Sequence, residues 1–306
     1  MLIDAPGEIG GRLWMLGNAR YPMYLDRGPH AGAIIEGGIS ALGPALQRQF
    51  AELAIGPEYV RQLIVTHAHP DHVMALPALR ACFPQATVIA SKAAAATLNV
   101  EKAVAFFKQI DAALTEGLAK AGVMADAAAA APAENRIAVD RVVQEGDAIE
   151  VDGRRWTVLE TPGHSDCSIS LHDAAQGVLV ISDAAGYCVP ASGVCWPNYF
   201  TSYAAYRQSL EKLSKLDAEI LCLSHNGALR GRDDIRRFFA GAIEATDRYH
   251  ERIVQEAKAG KPARTIAEEL GKESHALAPV LPVEFFQKNC GLLVKQSLKH
   301  AGIEGR

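Results

Sequence analysis

The sequence predicts an α/β fold in which two β-sheets pack face to face between outer helices, an αββα sandwich. Three observations support this prediction. Short runs rich in β-branched residues, typical of strands, form one group within residues 8–90 and another within residues 137–223. Segments with helical spacing lie between these runs, and several runs end in loops that carry His or Asp.

The first half of the chain predicts a β meander followed by alternating helices and strands. Leu46, Phe50 and Leu53 have the spacing of one helix face, and Gly56-Pro57 ends that helix. Strands are expected at Arg12–Leu16, Ala31–Ile35, Leu63–Val65 and Thr87–Ala90, and helices at Leu42–Leu53 and Met74–Cys82.

Residues from about 92 to 133 are predicted to be a helical insertion. Their alanine content favours helix. The nearly pure alanine run from Met124 to Ala133, which contains Pro132, instead predicts a flexible connection. An insertion at this point is expected to border the mouth of a substrate site.

The second half predicts more strands and then helices alone. Strand signals resume at Ile137 and continue at Ala148–Val151, Arg155–Glu160, Ser168–Leu171, Val178–Ile181 and Glu219–Leu223, with a helix at Tyr203–Leu216. Helices are expected at Asp233–Lys258, Thr265–Leu270 and around Val283–His300. We therefore predict a core of residues 1–232 and a C-terminal helical cap of residues 233–306, which would support the fold, mediate dimerisation or wall a substrate pocket.

A cluster of potential metal ligands follows the strand Leu63–Val65. The motif His67-Ala68-His69-Pro70-Asp71-His72 places three imidazoles and a carboxylate within six residues, a donor set that suits a borderline divalent metal. In extended backbone, His67 and His69 point to the same side, whereas Asp71 and His72 lie beyond the turn and can face a second position.

Three further candidate ligands lie downstream, each just after a strand-like run. They are His164 in Gly163-His164-Ser165-Asp166, Asp183 after Val178–Ile181, and His225 in Ser224-His225-Asn226-Gly227. Active sites of layered sheet proteins are assembled from several strand ends in this way.

This ordered set of ligands resembles that of the metallo-β-lactamase superfamily over residues 1 to about 230. The resemblance implies that His67, His69 and His164 bind one ion, that Asp71, His72 and His225 bind the other, and that Asp183 bridges them. His72 stands where one antibiotic-hydrolysing branch has Arg, and Asp183 is a bridging carboxylate that those branches lack. The sequence is therefore more similar to the glyoxalase II, lactonase and thioesterase branches.

Two divalent ions lower the pKa of bound water, so a metal-bridging hydroxide can attack a carbonyl without a protein nucleophile. Zinc is the expected metal, with iron or manganese as alternatives, because the same ligands accept all three. Asp71, Asp183 and Tyr187 are the candidate catalytic residues, with Tyr187 as a donor to a developing oxyanion.

The expected substrate wall consists of aromatic residues. The loop after Asp183 carries four of them, and the cap adds two at the start of its last helix. The candidates are Tyr187, Trp196, Tyr199, Phe200, Phe285 and Phe286. The remaining histidines fit no ligand pattern and are expected in surface or packing positions, with His275 also a candidate for the pocket: His30, His172, His250, His275 and His300.

Composition narrows the function classes. The chain has 306 residues, and its apolar fraction of 49% is ordinary for a soluble protein. Its net charge of −4 argues against a nucleic-acid partner. Neither a run of about eighteen apolar residues nor a secretory signal is visible, which predicts a cytoplasmic location without a membrane partner. A homodimer is compatible with this composition.

The six cysteines, at positions 82, 167, 188, 195, 222 and 290, have no CxxC and no framework spacing. This pattern predicts buried free thiols in a reducing compartment. Cys167 and Cys188 follow candidate ligands closely and are expected to be small packing residues.

We expect a metal-dependent hydrolase that acts on a small molecule, most specifically a thioesterase for an aromatic acyl thioester. The alternatives are a lactone, phosphodiester or phosphotriester hydrolase, an iron-dependent redox enzyme, and a regulatory protein that retains the metal site. A Ser nucleophile is disfavoured because GxSxG is absent.

Overall fold

The computed structural model describes residues 1–124 and 135–304. The chain forms two compact units, each assembled from separate segments. Unit 1 comprises Met1–Glu160, Cys167–Ser182 and Asp217–Ile235, and unit 2 comprises Thr161–Asp166, Asp183–Leu216 and Arg236–Arg306. The predicted division into a core of 1–232 and a cap of 233–306 stays a prediction.

Unit 1 contains two seven-stranded sheets, with strand orders β2-β3-β4-β5-β6-β7-β8 and β1-β16-β15-β12-β11-β10-β9. The strands of both sheets, together with the hairpin β13–β14 of unit 2, are β1 (Leu2–Ile3), β2 (Gly7–Gly10), β3 (Leu13–Asn18), β4 (Tyr21–Arg27), β5 (Gly32–Ile35), β6 (Val60–Ile64), β7 (Thr87–Ser91), β8 (Arg141–Val143), β9 (Ala148–Val151), β10 (Arg154–Glu160), β11 (Ile169–Asp173), β12 (Val178–Ser182), β13 (Tyr187–Val189), β14 (Val194–Trp196), β15 (Ile220–Leu223) and β16 (Ala228–Arg230).

The pairing directions position the loops that carry the candidate ligands. Strands β5, β6, β7 and β8 are parallel to one another, and β12 is parallel to β15. Carboxyl ends of parallel neighbours lie at the same edge of a sheet, so the loop after β6 lies beside the end of β5. The start of the loop after β15 likewise lies beside the end of β12.

The hydrophobic core lies between the two sheets. Buried side chains from both sheets form one cluster, which includes Met15, Ile35 and Ile64 from one sheet and Trp156 and Val180 from the other. Burying the apolar faces of both sheets in this cluster is the main stabilisation available to such a fold. The prediction of two sheets with accompanying helices is confirmed.

Eight helices are described: α1 (Gly43–Glu52), α2 (Leu76–Cys82), α3 (Lys92–Leu98), α4 (Glu101–Lys120), α5 (Tyr203–Ser214), α6 (Arg232–Lys258), α7 (Ala263–Leu277) and α8 (Val283–His300). Helix α7 continues beyond the predicted end at Leu270. Gly271 would normally weaken a helix, but here it lets α8 approach, since a Cβ on it would lie 2.5 Å from Gln287 Cα. None of the described helices is long and apolar enough to cross a membrane.

The second group of strands begins later than the sequence predicted. Ile137 is not in a strand; its N–H donates to Leu98 O, and the strand β8 begins only at Arg141. The predicted insertion contains α3 and α4, whereas the predicted flexible connection lies almost wholly outside the described residues.

A buried ionic cluster in unit 1 joins strands of both sheets. Arg154 Nε lies 2.6 Å from Asp173 Oδ2, and its Nη1 donates to Gly11 O at 2.7 Å. Trp156 Nε1 donates to Asp26 Oδ2 at 2.9 Å, and the Arg154 guanidinium lies over the Trp156 ring at 4.2 Å. A buried carboxylate is tolerated only when it is paired and hydrogen-bonded, as Asp26 and Asp173 are here.

Replacing Arg154 should therefore strongly destabilise the fold. Arg154→Met leaves Asp173 without its buried partner, so we expect the free energy of unfolding in urea to fall by about 3–5 kcal/mol. Arg155→Met is the matched control, because the Arg155 side chain is 67% exposed and pairs with Glu150 only at 3.5 Å. A control loss as large as that of Arg154→Met would contradict the importance of the buried cluster.

Candidate metal centre

The predicted ligand loop begins directly after the central strand β6 of unit 1. Val65 N still donates to Ile89 O, so the backbone remains extended up to the ligands. His69 is extended at the N-cap of a short 3-10 turn, Pro70–His72, which reverses the chain. His67 and His69 precede this turn and Asp71 and His72 lie within it, but the rings of His67 and His72 are only 4.1 Å apart. That the two pairs serve different ions stays a prediction.

Three pairs of candidate ligand atoms come together, two within this loop and one between it and the loop after β15. His67 Nε2 and His69 Nδ1 lie 3.1 Å apart. Asp71 Oδ2 lies 3.5 Å from His72 Nε2 and 3.5 Å from His225 Nε2. The ligand atoms of Asp71, His72 and His225 all lie within 4.8 Å of one another, which is close enough to hold one ion.

Unit 2 brings together the other two predicted ligands. His164 Nε2 lies 3.3 Å from Asp183 Oδ2, and both side chains are buried. His164 follows Gly163, whose φ of +123° and close contact with Tyr206 permit no side chain: a Cβ would lie 2.2 Å from Tyr206 N. Glycine is therefore needed for the turn that presents His164.

The second ring nitrogen of each of four histidines has a defined hydrogen-bond partner. His72 Nδ1 lies 2.8 Å from Glu36 Oε2, His164 Nδ1 2.9 Å from Asn198 O, and His225 Nδ1 3.0 Å from Arg20 O. Carbonyl and carboxylate oxygens only accept, so these Nδ1 atoms carry the proton and leave Nε2 with a lone pair for a metal. His67 Nδ1 lies 3.1 Å from Ser182 Oγ.

A chain of hydrogen bonds assigns the direction of that last contact. Thr66 Oγ1 donates to Glu36 at 2.9 Å, and Thr66 Oγ1 and Ser182 Oγ lie 2.7 Å apart. Because the Thr66 proton is used on Glu36, Ser182 donates to Thr66, and His67 Nδ1 donates to Ser182. Glu36 thus orients His72 directly and His67 through two hydroxyls.

Three of the six non-glycine residues with positive φ in the described chain lie beside these residues. Glu36, Ser182 and Asn226 adopt left-handed φ values of 78°, 47° and 62°. Asn tolerates this region, whereas Glu and Ser adopt it at a cost of about 1–2 kcal/mol each. Such strain persists where the surrounding structure fixes the conformation, and here it aims the Glu36 carboxylate and the Ser182 hydroxyl at imidazoles.

The His225 loop is held by a buried tyrosine. Tyr24 Oη donates to Leu223 O at 2.5 Å and lies 2.9 Å from Gly227 O, on either side of His225. Burial raises the pKa of Tyr24 well above its usual value, and the nearby acidic groups Cys222 and Glu36 raise it further. The hydroxyl therefore stays protonated and keeps donating.

The donor set fits a divalent ion. It combines imidazole nitrogens in the correct tautomer with carboxylate oxygens, and outer hydrogen bonds of this kind commonly orient metal ligands. The sequence predicted no orienting role for Thr66, Ser182 or the carbonyls of Asn198 and Arg20. The only available signal was that Thr66 and Ser182 directly precede predicted ligands.

The loop after Asp183 corrects the prediction for the cysteines. Cys188 and Cys195 form a disulfide across the hairpin β13–β14, so the expectation of free thiols and a packing role for Cys188 is wrong for this pair. Sequence spacing missed it because the pairing depends on the register of two short strands. Cys82, Cys167, Cys222 and Cys290 form no disulfide, as expected, although Cys82 is only partly buried.

The aromatic candidates of this loop lie in unit 2 in different environments. Phe200 packs against His164 with ring centroids 5.1 Å apart and is only partly buried. Trp196 is buried against Phe286 at 5.5 Å, and Tyr199 is fully buried with its hydroxyl 3.0 Å from Ser297 Oγ. Tyr187 is buried in β13, and Phe285 is partly buried in α8. Their role as a substrate wall stays a prediction.

The chain belongs to the metallo-β-lactamase superfamily, whose family profile matches residues 23–225. The fold agrees with that of solved members. A metallo-beta-lactamase family protein from Thermus thermophilus superposes with a TM-score of 0.64 over 99% of this chain and 93% of that one, at 20% identity. A HARLDQ-motif mutant of a Cronobacter sakazakii metallo-beta-lactamase gives 0.60 over 85% and 100%, at 19% identity.

Two curated relatives are similar over part of the sequence. A hydroxyacylglutathione hydrolase from Cereibacter sphaeroides is 29% identical over 165 residues, which are 54% of this chain and 48% of that protein. The acyl-coenzyme A thioesterase MBLAC2 from Gallus gallus is 36% identical over 76 residues, 25% of this chain and 26% of that protein. The chain thus matches about half or less of the length of these relatives.

The Glu36 network generates a testable prediction. Glu36→Gln keeps the shape but removes the charge and one acceptor oxygen, so His72 and His67 lose their fixed orientation. We expect the dissociation constant for zinc to rise about 10–100-fold, measured by competition with a chromophoric chelator. Glu52→Gln, an exposed position at the end of α1, is the control. Unchanged zinc affinity in Glu36→Gln would refute the orienting role.

Proposed function

We propose that this protein is a dinuclear metal-dependent hydrolase that cleaves thioesters. The observation that carries the proposal is the fixed orientation of four imidazoles. His67, His72, His164 and His225 each have Nδ1 at a hydrogen-bond partner, which leaves Nε2 available to an ion. All four of these side chains are buried.

The proposed ligand assignment follows the superfamily pattern. His67, His69 and His164 would hold one ion, Asp71, His72 and His225 the other, and Asp183 would contact both. When bound, such ions supply Lewis acidity and an activated water near neutral pH. Glu36 would keep His67 and His72 in the metal-binding tautomer, and the carbonyl of Asn198 would do the same for His164.

The thioester class is supported by the two curated relatives. One is named for hydroxyacylglutathione and the other for acyl-coenzyme A, and both compounds are thioesters. A thiolate is a good leaving group, so a metal-activated water needs no strong general acid from the protein. This agrees with a site whose described ligands are imidazoles and carboxylates.

Two features support an aromatic acyl group in the substrate. The motifs Ala5-Pro6-Gly7, Ile34–Ser40 and Gly163–Asp166 resemble those of the quinolone-signal response protein, a 2-aminobenzoylacetyl-coenzyme A thioesterase. The relatives named above include no quinolone-signal protein. The second feature is the position of Phe200, whose ring lies beside His164 and would stack on a flat acyl group bound there.

The central test combines metal analysis with a substrate panel. Protein purified without chelator should contain close to two equivalents of zinc, iron or manganese. It should hydrolyse acyl-coenzyme A or acylglutathione faster than a lactone or a phosphodiester. One equivalent that added metal cannot raise would remove the dinuclear assignment, and clear lactone or phosphoester turnover without thioesterase activity would remove the thioester assignment.

Asp183 provides the sharpest single substitution. Asp183→Ala should lose metal and nearly all turnover while the two sheets of unit 1 keep the fold, because Asp183 contributes nothing to their core. Asp217→Ala, at an exposed acidic position, is the control. Wild-type metal content and turnover in Asp183→Ala would show that Asp183 is not a ligand.

Substrate choice can be tested at Phe200. Loss of one stacked ring costs about 1 kcal/mol, roughly fivefold in kcat/KM. Phe200→Ala should therefore lower kcat/KM for benzoyl-coenzyme A more than for acetyl-coenzyme A, with metal content unchanged. Phe106→Ala removes an aromatic that is 55% exposed on α4 and serves as the control. Equal losses for both substrates would mean that Phe200 does not select the acyl group.

A further inference from the structure

A disulfide-linked hairpin lies between two segments that serve the predicted ligands of unit 2. Strands β13 and β14 form a two-stranded sheet of three residue pairs, with Cys188 opposite Cys195. The two cysteines are 3% and 6% exposed, whereas the turn at 191–194 is exposed. A two-stranded hairpin of three residue pairs is by itself only marginally stable in water, so the covalent link adds to the contacts that hold the two strands together.

The strand β13 follows Asp183 after a single turn. Gly186 N donates to Asp183 O at 3.0 Å, and Gly186 itself has a φ of +72°. A Cβ on Gly186 would lie 2.4 Å from Trp196 O and 2.9 Å from Asn198 N. The turn that carries Asp183 therefore packs directly against the chain that leaves β14.

The strand β14 leads into the segment that orients His164. Asn198, three residues after Cys195, provides the carbonyl that accepts from His164 Nδ1 at 2.9 Å. This half of the hairpin is anchored on α8, since Trp196 packs on Phe286 and Tyr199 bonds to Ser297. In the described chain, β13 pairs with no strand other than β14.

We propose that the Cys188–Cys195 disulfide is a positioning cross-link for the metal centre. It ties β13, and with it the turn of Asp183, to the anchored strand that orients His164. Without the link the hairpin gains conformational freedom, and both ligands lose part of their fixed placement. This inference rests on the metal binding proposed above. It adds that the oxidation state of Cys188 and Cys195 controls the affinity of the protein for its metal ions.

Opening the link is a defined two-electron step. A phosphine attacks one sulfur and breaks the S–S bond; water then releases a phosphine oxide and supplies two protons. Two thiols remain, and the phosphine is oxidised. A phosphine is a better probe than a dithiol, because dithiols themselves bind zinc strongly.

The experiment measures zinc affinity by chelator competition in the double variant Cys188→Ser/Cys195→Ser. We expect the dissociation constant of at least one zinc ion to rise about tenfold, as for the loss of other orienting contacts. Cys82→Ser, which removes a free thiol on α2, should bind zinc like the wild type. Urea unfolding of the metal-free forms separates a general loss of stability from a loss confined to metal binding.

The reduced wild type provides the second measurement, which also serves if the double variant does not fold. Protein refolded from urea under the phosphine, then desalted without oxygen, should show two additional thiols and the same rise in the dissociation constant. Reoxidation should restore the affinity. Equal zinc affinity of oxidised, reduced and doubly substituted protein, with two ions bound to each, would overturn this inference alone. Absence of zinc from the oxidised wild type would instead overturn the proposed function on which it rests.

Discussion

The hydrogen bonds accepted by the Glu36 carboxylate are the interaction on which the candidate metal centre of unit 1 depends. Glu36 lies at the end of β5, Thr66 follows β6, and Ser182 ends β12, so the chain of donors runs from one sheet to the other. A buried carboxylate needs such donors to offset its loss of hydration. The same bonds that satisfy Glu36 therefore fix the tautomers of His67 and His72.

In unit 1, the residues that stabilise the two sheets are different from those that lie beside the candidate ligands. The apolar core and the cluster of Asp26, Arg154 and Asp173 hold the two sheets together. The strained residues Glu36 and Ser182 lie instead beside the candidate ligands. A strained backbone conformation persists only where other contacts stabilise the fold by more free energy than the strain costs.

The candidate ligands of unit 2 are positioned by another physical means. His164 and Asp183 lie on tight turns whose glycines, Gly163 and Gly186, allow the backbone to approach within contact distances that a Cβ would prevent. The acceptor for His164 is a main-chain carbonyl, and a covalent link closes the neighbouring hairpin.

The sequence by itself determined most of the strand and helix order, the two-sheet architecture and the candidate ligand residues, but not the short strands β13, β14 and β16. The predicted features have local signals: short apolar runs rich in β-branched residues, and a motif of His and Asp within six residues. Helix α8 was predicted around Val283–His300, and these are its observed bounds.

Only the tertiary structure decided which atoms orient the ligands. His225 bonds to a carbonyl 205 positions away and His164 to one 34 positions away, and every residue has a carbonyl, so no pattern singles these out. The disulfide, the buried Arg154 pairs and the extension of α7 past Gly271 likewise depend on contacts between segments distant in the chain. Such contacts form only when the chain is folded, and local propensity contains no record of them.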